Sequence, residues 1–348
     1  MVATNRRDFL TGAGVVFTGC ALFGQTATAR RKVRVANREV RTIDIHGHVI
    51  VPEATALLGI NTSPTDASVV LPDRLRKMDE WGLDMQALSI NANWYAAPRE
   101  VAEKVIQIQN EKLAALCSQY PDRFVAFASV ALQFPELAAQ QLEEGIRKYN
   151  LRGAAIGGHV NGDELSSPKF DVFWKKAEEL GCLIFMHPQG IPEMEKRLAG
   201  RGGLSNVIGN PLETTIFLSH LIFDGTLDRF PGLKICAAHG GGFLASYANR
   251  SDAVIRCFPD RVGPLPKKNP TAYLRDGQLF FDTIVFTPEA LRHLIAETGV
   301  SQIMVGTDYP FPWTSTEVDL VLNTPGLTDA DRIAILNGTA SKLLGIPT

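Results

Sequence analysis

The sequence predicts an α/β protein, a (β/α)8 TIM barrel, and three observations carry that prediction. Short apolar, β-rich runs alternate with amphipathic helical patterns along the chain. The runs are nearly continuous in apolar residues, as strands covered by crossover helices require. Eight such units fill residues 30–348, close to the ~250 residues typical of one barrel. The rival is a doubly wound open sheet, but no G-x-G-x-x-G follows the first run to support it.

The N-terminus stands outside the repeat. Asn5-Arg6-Arg7-Asp8-Phe9-Leu10, an apolar stretch over 12–23 and Ala27-Thr28-Ala29 make residues 1–29 a twin-arginine-type signal peptide. The stretch is shorter than the ~20 residues of a membrane span. Cys20 would serve a lipoprotein signal, yet Phe17-Thr18-Gly19 is a poor lipobox. The expectation is cleavage after Ala29, leaving one catalytic domain over 30–348 with no stable membrane span, periplasmic or secreted.

The strands are expected at 42–49, 85–91, 124–132, 153–160, 182–188, 234–240, 279–285 and 303–309. Helices are expected at 72–81, 98–119, 135–149, 169–180, 212–228, 243–256, 288–298 and 329–344. Several open on proline, whose missing N–H would be unpaired in the first turn anyway. The stretch 259–270, with prolines near both ends, reads as a surface loop. Of the cysteines left after cleavage, Cys182 and Cys236 fall opposite in strand parity to His187 and His239, and so should face the outer layer. Free thiols suit a chain that folds in the reducing cytoplasm before export. A net charge of −2 leaves no nucleic-acid footprint, and the basic residues between Arg30 and Arg41 read as a solvated lead-in to the first strand.

Working residues of such a barrel sit at the C-terminal ends of its strands. His46 and His48 lie two apart on strand one, so their side chains share a face. Strand four ends in His159, strand five in His187, strand six in His239 and strand eight in Asp308. His220 and His293 fall on helices and read as packing or surface residues. His46, His48, His187 and Asp308 offer three nitrogens and one carboxylate, a mix suited to Zn2+ or another divalent first-row ion. His239 is then left as a general acid or base. In the competing assignment His239 is a ligand and Asp308 is the base. Strand four holds no lysine to bridge two metals, so a single ion is expected.

These residues carry a resemblance. Asp44-Ile45-His46-Gly47-His48, Phe185-Met186-His187-Pro188, Ala238-His239-Gly240-Gly241-Gly242, Val305-Gly306-Thr307-Asp308-Tyr309-Pro310 and Asn337-Gly338-Thr339 resemble the amidohydrolase-related family that includes aminocarboxymuconate-semialdehyde decarboxylase. The resemblance implies a mononuclear barrel, and a homodimer, in which His46, His48, His187 and Asp308 bind the ion and His239 handles protons. It also implies that Arg250, in the helix after strand six, grips a substrate carboxylate across the dimer interface. The muconate enzyme's second arginine, after strand one, has no counterpart, since residues 50–73 contain no Arg or Lys. The same segment offers Leu57, Leu58 and Ile60, and Trp94 and Tyr95 follow strand two. An apolar or aromatic pocket is therefore expected, with Trp94 and His159 as further substrate contacts.

The leading expectation is a metal-dependent, non-oxidative decarboxylase of a small aromatic or unsaturated carboxylic acid, with Zn2+ as cofactor and Mn2+ as alternative. A hydrolase of a lactone, ester or amide would use the same donors. A periplasmic binding protein that kept the barrel without turnover is the reading outside enzymology.

Overall fold

The computed structural model describes residues 30–347 other than 64, 67, 70 and 312–315. The signal segment expected at 1–29 lies outside the described residues. The eight barrel strands are β1 (Ile43–His48), β2 (Met85–Ser89), β3 (Phe124–Ala126), β4 (Gly153–Ile156), β5 (Leu183–Met186), β6 (Lys234–Ala237), β7 (Leu279–Asp282) and β8 (Ile303–Met304). All pair in parallel, in two arcs running β1 to β3 and β4 to β8. Single bridges from Ala128 to Ala154 and from Gly47 to Tyr309 join the arcs. Backbone bonds reinforce both seams: Ala128 N–H donates to the Gly153 carbonyl over 2.8 Å and His48 N–H to the Tyr309 carbonyl over 2.7 Å. The ring is thus closed.

Strand alternation sorts two apolar layers. Ile43, Met85, Val125, Ala155, Leu183, Phe185, Phe280 and Met304 fill the barrel interior, with Leu344 and Ile346 packed against them. Their sequence neighbours, among them Leu88, Ala126, Ile184, Ile235 and Phe281, meet the helices outside. Cys182 joins that outer layer as expected. Cys236 does not: it is fully buried inside the barrel. The parity count failed because β6 ends at Ala237 and His239, beyond it, is itself left-handed, φ 57°, so the two-residue period does not run on to it. The four cysteines among the described residues, Cys117, Cys182, Cys236 and Cys257, are unpaired.

The barrel helices are α1 (Leu71–Trp81), α2 (Arg99–Gln119), α3 (Pro135–Arg147), α4 (Asp171–Leu180), α5 (Asn210–Phe223), α6 (Leu244–Cys257) and α7 (Pro288–Thr298). The last, α8, runs from Asp329–Ile333 through a π-type Ala334–Gly338 to Thr339–Leu344. A capping box between Thr328 and Asp331 starts α8. The helix expected over 212–228 divides, because Gly225 takes φ 75° and a second turn begins at Thr226–Arg229. The stretch expected as a loop contains a helical turn, Pro259–Val262. The basic lead-in is not simply solvated: Arg30 pairs with Asp84, Arg31 with Asp319 and Lys32 with Glu39. No helix among the described residues is long and apolar enough to cross a membrane.

Candidate metal centre

The barrel's C-terminal mouth gathers five donors. The β1–β2 register slips between Asp44 and Gly47, a bulge that re-aims side chains at the end of the strand. His46 Nε2 and His48 Nε2 face each other at 3.0 Å, and His48 Nε2 lies 2.7 Å from Asp308 Oδ1. His46 Nε2 is 3.2 Å and His187 Nε2 4.0 Å from the same oxygen. His239 Nε2 approaches Asp308 Oδ2 at 3.6 Å. Atoms from His46, His187, His239 and Asp308 all fall within 4.8 Å of one another. Ligands about 2.1 Å from a common ion stand roughly 3 to 3.4 Å apart; His46 already stands at 3.0 Å from His48 and 3.2 Å from Asp308, while His187 and His239 lie farther from Asp308, at 4.0 and 3.6 Å. Two imidazole nitrogens at 3.0 Å cannot both present lone pairs without a proton or a cation between them. The donor set fits a divalent ion.

The electrostatics agree. Burial opposes a charge on His46, yet the Asp308 charge and the hydrogen bond to Asp282 outweigh it and lift its pKa to about 10. Burial, joined by the charges of His46 and His239, drops His48 to about 4. Burial also pushes His187 down, with His48 and His46 acting in the same direction. Burial works to raise Asp308, but the surrounding imidazoles hold it far below the usual carboxylate range. His48 and His187 are thus neutral at neutral pH, as metal ligands must be, whereas His46, between Asp308 and Asp282, holds a proton that a bound cation would displace.

Two strained residues aim the site: His239 and Asp308 adopt φ 57° and 56°, a region costly for side-chain-bearing residues and concentrated at functional sites. Both line a cavity of ≈ 520 Å³, walled by Phe243, Val285, Phe286 and Leu294. His46, His48 and His187 do not line it.

Other expected contacts fare differently. Trp94 is fully buried and its indole N–H donates to the Val130 carbonyl at 3.0 Å. That is a core residue, and the expectation of a substrate contact is corrected: an aromatic satisfied on all sides has no surface to offer. His159 lies in a separate pocket of ≈ 140 Å³ with Glu213; its Nε2 meets the Gly190 carbonyl at 3.3 Å. Arg250 is exposed on α6, outside the cavity lining. Leu57 and Ile60 point to solvent at 45% and 41% exposure rather than into the cavity.

Sequence reasoning missed three carboxylates and a histidine. Asp282, at the end of β7, lies 2.7 Å from His46 Nδ1 and accepts the N–H groups of His239 (3.0 Å) and Gly240 (2.8 Å). Its signal was an aspartate closing an apolar strand. Asp44 accepts from His46 N–H at 2.9 Å and from the Thr307 hydroxyl at 2.5 Å, binding β1 to the Asp308 loop. Glu213, on α5, takes the N–H groups of Gly158 (3.1 Å), Gln189 (2.7 Å) and Gly190, fastening the loops after β4 and β5. Burial lifts it to about 7. His293 lines the same cavity as His239, although helical position alone placed it away from the mouth.

The chain has relatives among known proteins. The chain is 30% identical to 2-amino-3-carboxymuconate-6-semialdehyde decarboxylase of Dictyostelium discoideum, over 79% of this chain and 77% of that protein. It is 28% identical to γ-resorcylate decarboxylase of a Polaromonas species, over 78% and 86%. Among solved structures, a Polaromonas dihydroxybenzoic acid decarboxylase with bound manganese and 2-nitroresorcinol superposes with TM-score 0.78 at 25% identity, covering 88% of this chain and 97% of that one. The 5-carboxyvanillate decarboxylase of Sphingomonas paucimobilis gives TM-score 0.80 at 24%, over 88% and 100%, and so shares the fold. The amidohydrolase family itself matches residues 43–346, from the first barrel strand to the end of the last helix. With every donor of the buried cluster inside that match, the chain belongs to the amidohydrolase family of enzymes.

Proposed function

We propose that this protein is a non-oxidative decarboxylase of a small aromatic carboxylic acid, dependent on one divalent ion held by His46, His48, His187 and Asp308. The observation that carries the assignment is the division of labour at the cavity wall: of the four histidines, only His239 lines it, together with Asp308, while the other three sit behind. The resorcylate, dihydroxybenzoic acid and 5-carboxyvanillate decarboxylases are named for aromatic acids of this kind, and the muconate-semialdehyde decarboxylase for an open-chain unsaturated one. The nitrogen-rich donor set favours zinc, and manganese is the alternative. When bound, the ion supplies positive charge that orients the substrate's oxygens and draws electron density from the ring.

The remaining chemistry belongs to the chain. Cleavage of the carbon–carboxylate bond releases neutral CO2 and leaves the electron pair on the ring carbon. His239 gives that carbon a proton and is reprotonated from solvent. Asp308, 3.6 Å from His239 Nε2, keeps the imidazole turned into the cavity. The half-buried apolar side chains of Phe243 and Val285 limit water around the developing charge. Arg250, exposed on α6, reaches the carboxylate of a substrate in the partner subunit of a homodimer, where its planar fork suits that group. The chain reaches the periplasm by twin-arginine export, with cleavage after Ala29.

The test is turnover of 2,6-dihydroxybenzoate and 5-carboxyvanillate in D2O, with metal content measured on the same samples. A decarboxylase yields CO2 and a product deuterated at the vacated carbon, and His239→Asn lowers kcat by about 10² to 10⁴ while retaining the ion. Solvent oxygen in the product would assign a hydrolase instead. Loss of metal from the His239 variant would make His239 a ligand.

A further inference from the structure

Ser246 and His293 line the same cavity as His239 and Asp308 and have no part in the chemistry above. They come from different helices, α6 and α7, yet Ser246 Oγ and His293 Nε2 lie 3.1 Å apart. The pair is held from below: Leu294, next to His293, is buried, and a side chain on Gly240 would strike Val285 and then Leu294 at 2.6 and 3.4 Å. His293 therefore faces the cavity because its neighbour is pinned against the glycine turn that follows His239.

The chemistry of the lining decides what this pair can take. The wall they share with His239 includes Val285, Phe286 and Leu294, and among the described residues no Lys or Arg lines the cavity. Arg74, next after the cation-free stretch 50–73, is no substitute. It is buried at 2% exposure and spent on Gln86 and on the carbonyls of His48 and Ser68. A second carboxylate on the substrate would find no cation among these residues to hold it here. A hydroxyl would find a partner of either sense, because a serine hydroxyl paired with an imidazole offers a donor or an acceptor.

We infer that Ser246 and His293 form a specificity subsite for an uncharged hydroxyl carried on the ring of the acid in addition to the carboxylate that leaves. The inference rests on the decarboxylase reading and narrows it to hydroxylated aromatic monocarboxylates.

The test is calorimetric binding to the manganese-loaded protein of 2-hydroxybenzoate, its 2,3-, 2,4- and 2,5-dihydroxy relatives, and 2-hydroxyterephthalate, in which a carboxylate replaces the added hydroxyl of the 2,4 compound. In the wild type, one dihydroxybenzoate binds about tenfold tighter than 2-hydroxybenzoate, and 2-hydroxyterephthalate binds more weakly than that compound. In Ser246→Ala and in His293→Phe the tenfold ratio falls to about one. Metal content and thermal unfolding of the variants show that they remain folded, as exposed positions should. A hydroxyl preference absent from the wild type or retained in both variants overturns the subsite, as does 2-hydroxyterephthalate binding as tightly as the best dihydroxybenzoate. These outcomes leave the decarboxylase reading standing. Failure of every acid to bind or turn over overturns that reading, and the subsite with it.

Discussion

Asp282 shows how much of the centre depends on residues that never face the cavity. Its carboxylate takes His46 Nδ1 at 2.7 Å and two backbone N–H groups of the His239 turn, fixing both a proposed ligand and the proposed proton donor. A ligating imidazole is oriented and made more basic by such a partner, and losing it typically costs 10- to 100-fold in metal affinity. Asp282→Asn should therefore bind zinc or manganese about 10- to 100-fold more weakly, read by competition with a chromogenic chelator. Unchanged affinity would confine Asp282 to holding the turn. The cluster was legible from sequence because histidines at the ends of parallel strands have few other reasons to recur. Asp282 was not, because a single carboxylate after Phe280 and Phe281 gives no hint of the imidazole opposite it.

At the scale of elements, the turn after β6 and the short helix Glu317–Asn323 each carry a testable constraint. Gly242 has φ 66°, and a Cβ there would lie 2.1 Å from the Pro211 carbonyl and 2.7 Å from Thr215 Oγ1. The clash is with backbone at the start of α5 and cannot be relieved by a rotamer change. Gly242→Ala should lower stability by about 2 kcal/mol or more, measured by denaturant unfolding. Glu317 opens its helix at 2% exposure with Oε2 unpartnered among the described residues. Burial raises it to about 8 from 4.5, against a hydrogen bond to Thr283. Between those two values the folded chain keeps a proton that the unfolded chain has released, so stability falls as pH rises through that window. Glu317→Gln has no such proton, so its melting temperature should match wild type near pH 4 and exceed it increasingly up to pH 8–9. A constant offset across that range would mean that Glu317 is ionised throughout.

Over the whole molecule, eight parallel strands close into a ring whose seams are single bridges, Gly47 with Tyr309 and Ala128 with Ala154. The first seam lies one residue from both His46 and His48 and one from Asp308, so an ion joining those side chains also ties β1 to the chain beyond β8. Anything that binds only the folded state stabilises it by mass action. Stripping the metal should lower the melting temperature by several degrees, restored by readdition and absent in a His46→Ala, His187→Ala double variant. A melting temperature indifferent to chelator would separate the seam from the ion.

The sequence by itself determined the barrel, since the spacing of apolar runs follows from a backbone period that local chemistry fixes. It also singled out the histidines and the aspartate that the fold brings together, since imidazoles and carboxylates at strand ends are visible in one dimension. Only the tertiary structure decided which histidine faces the cavity, that Cys236 turns inward, that Trp94 is core and that His293 joins the cavity wall. Those outcomes depend on a left-handed turn at His239, a bulge in β1 and the docking of α7 on the glycine turn. Each of these reorients a side chain through contacts between residues far apart in the chain, which no periodicity records.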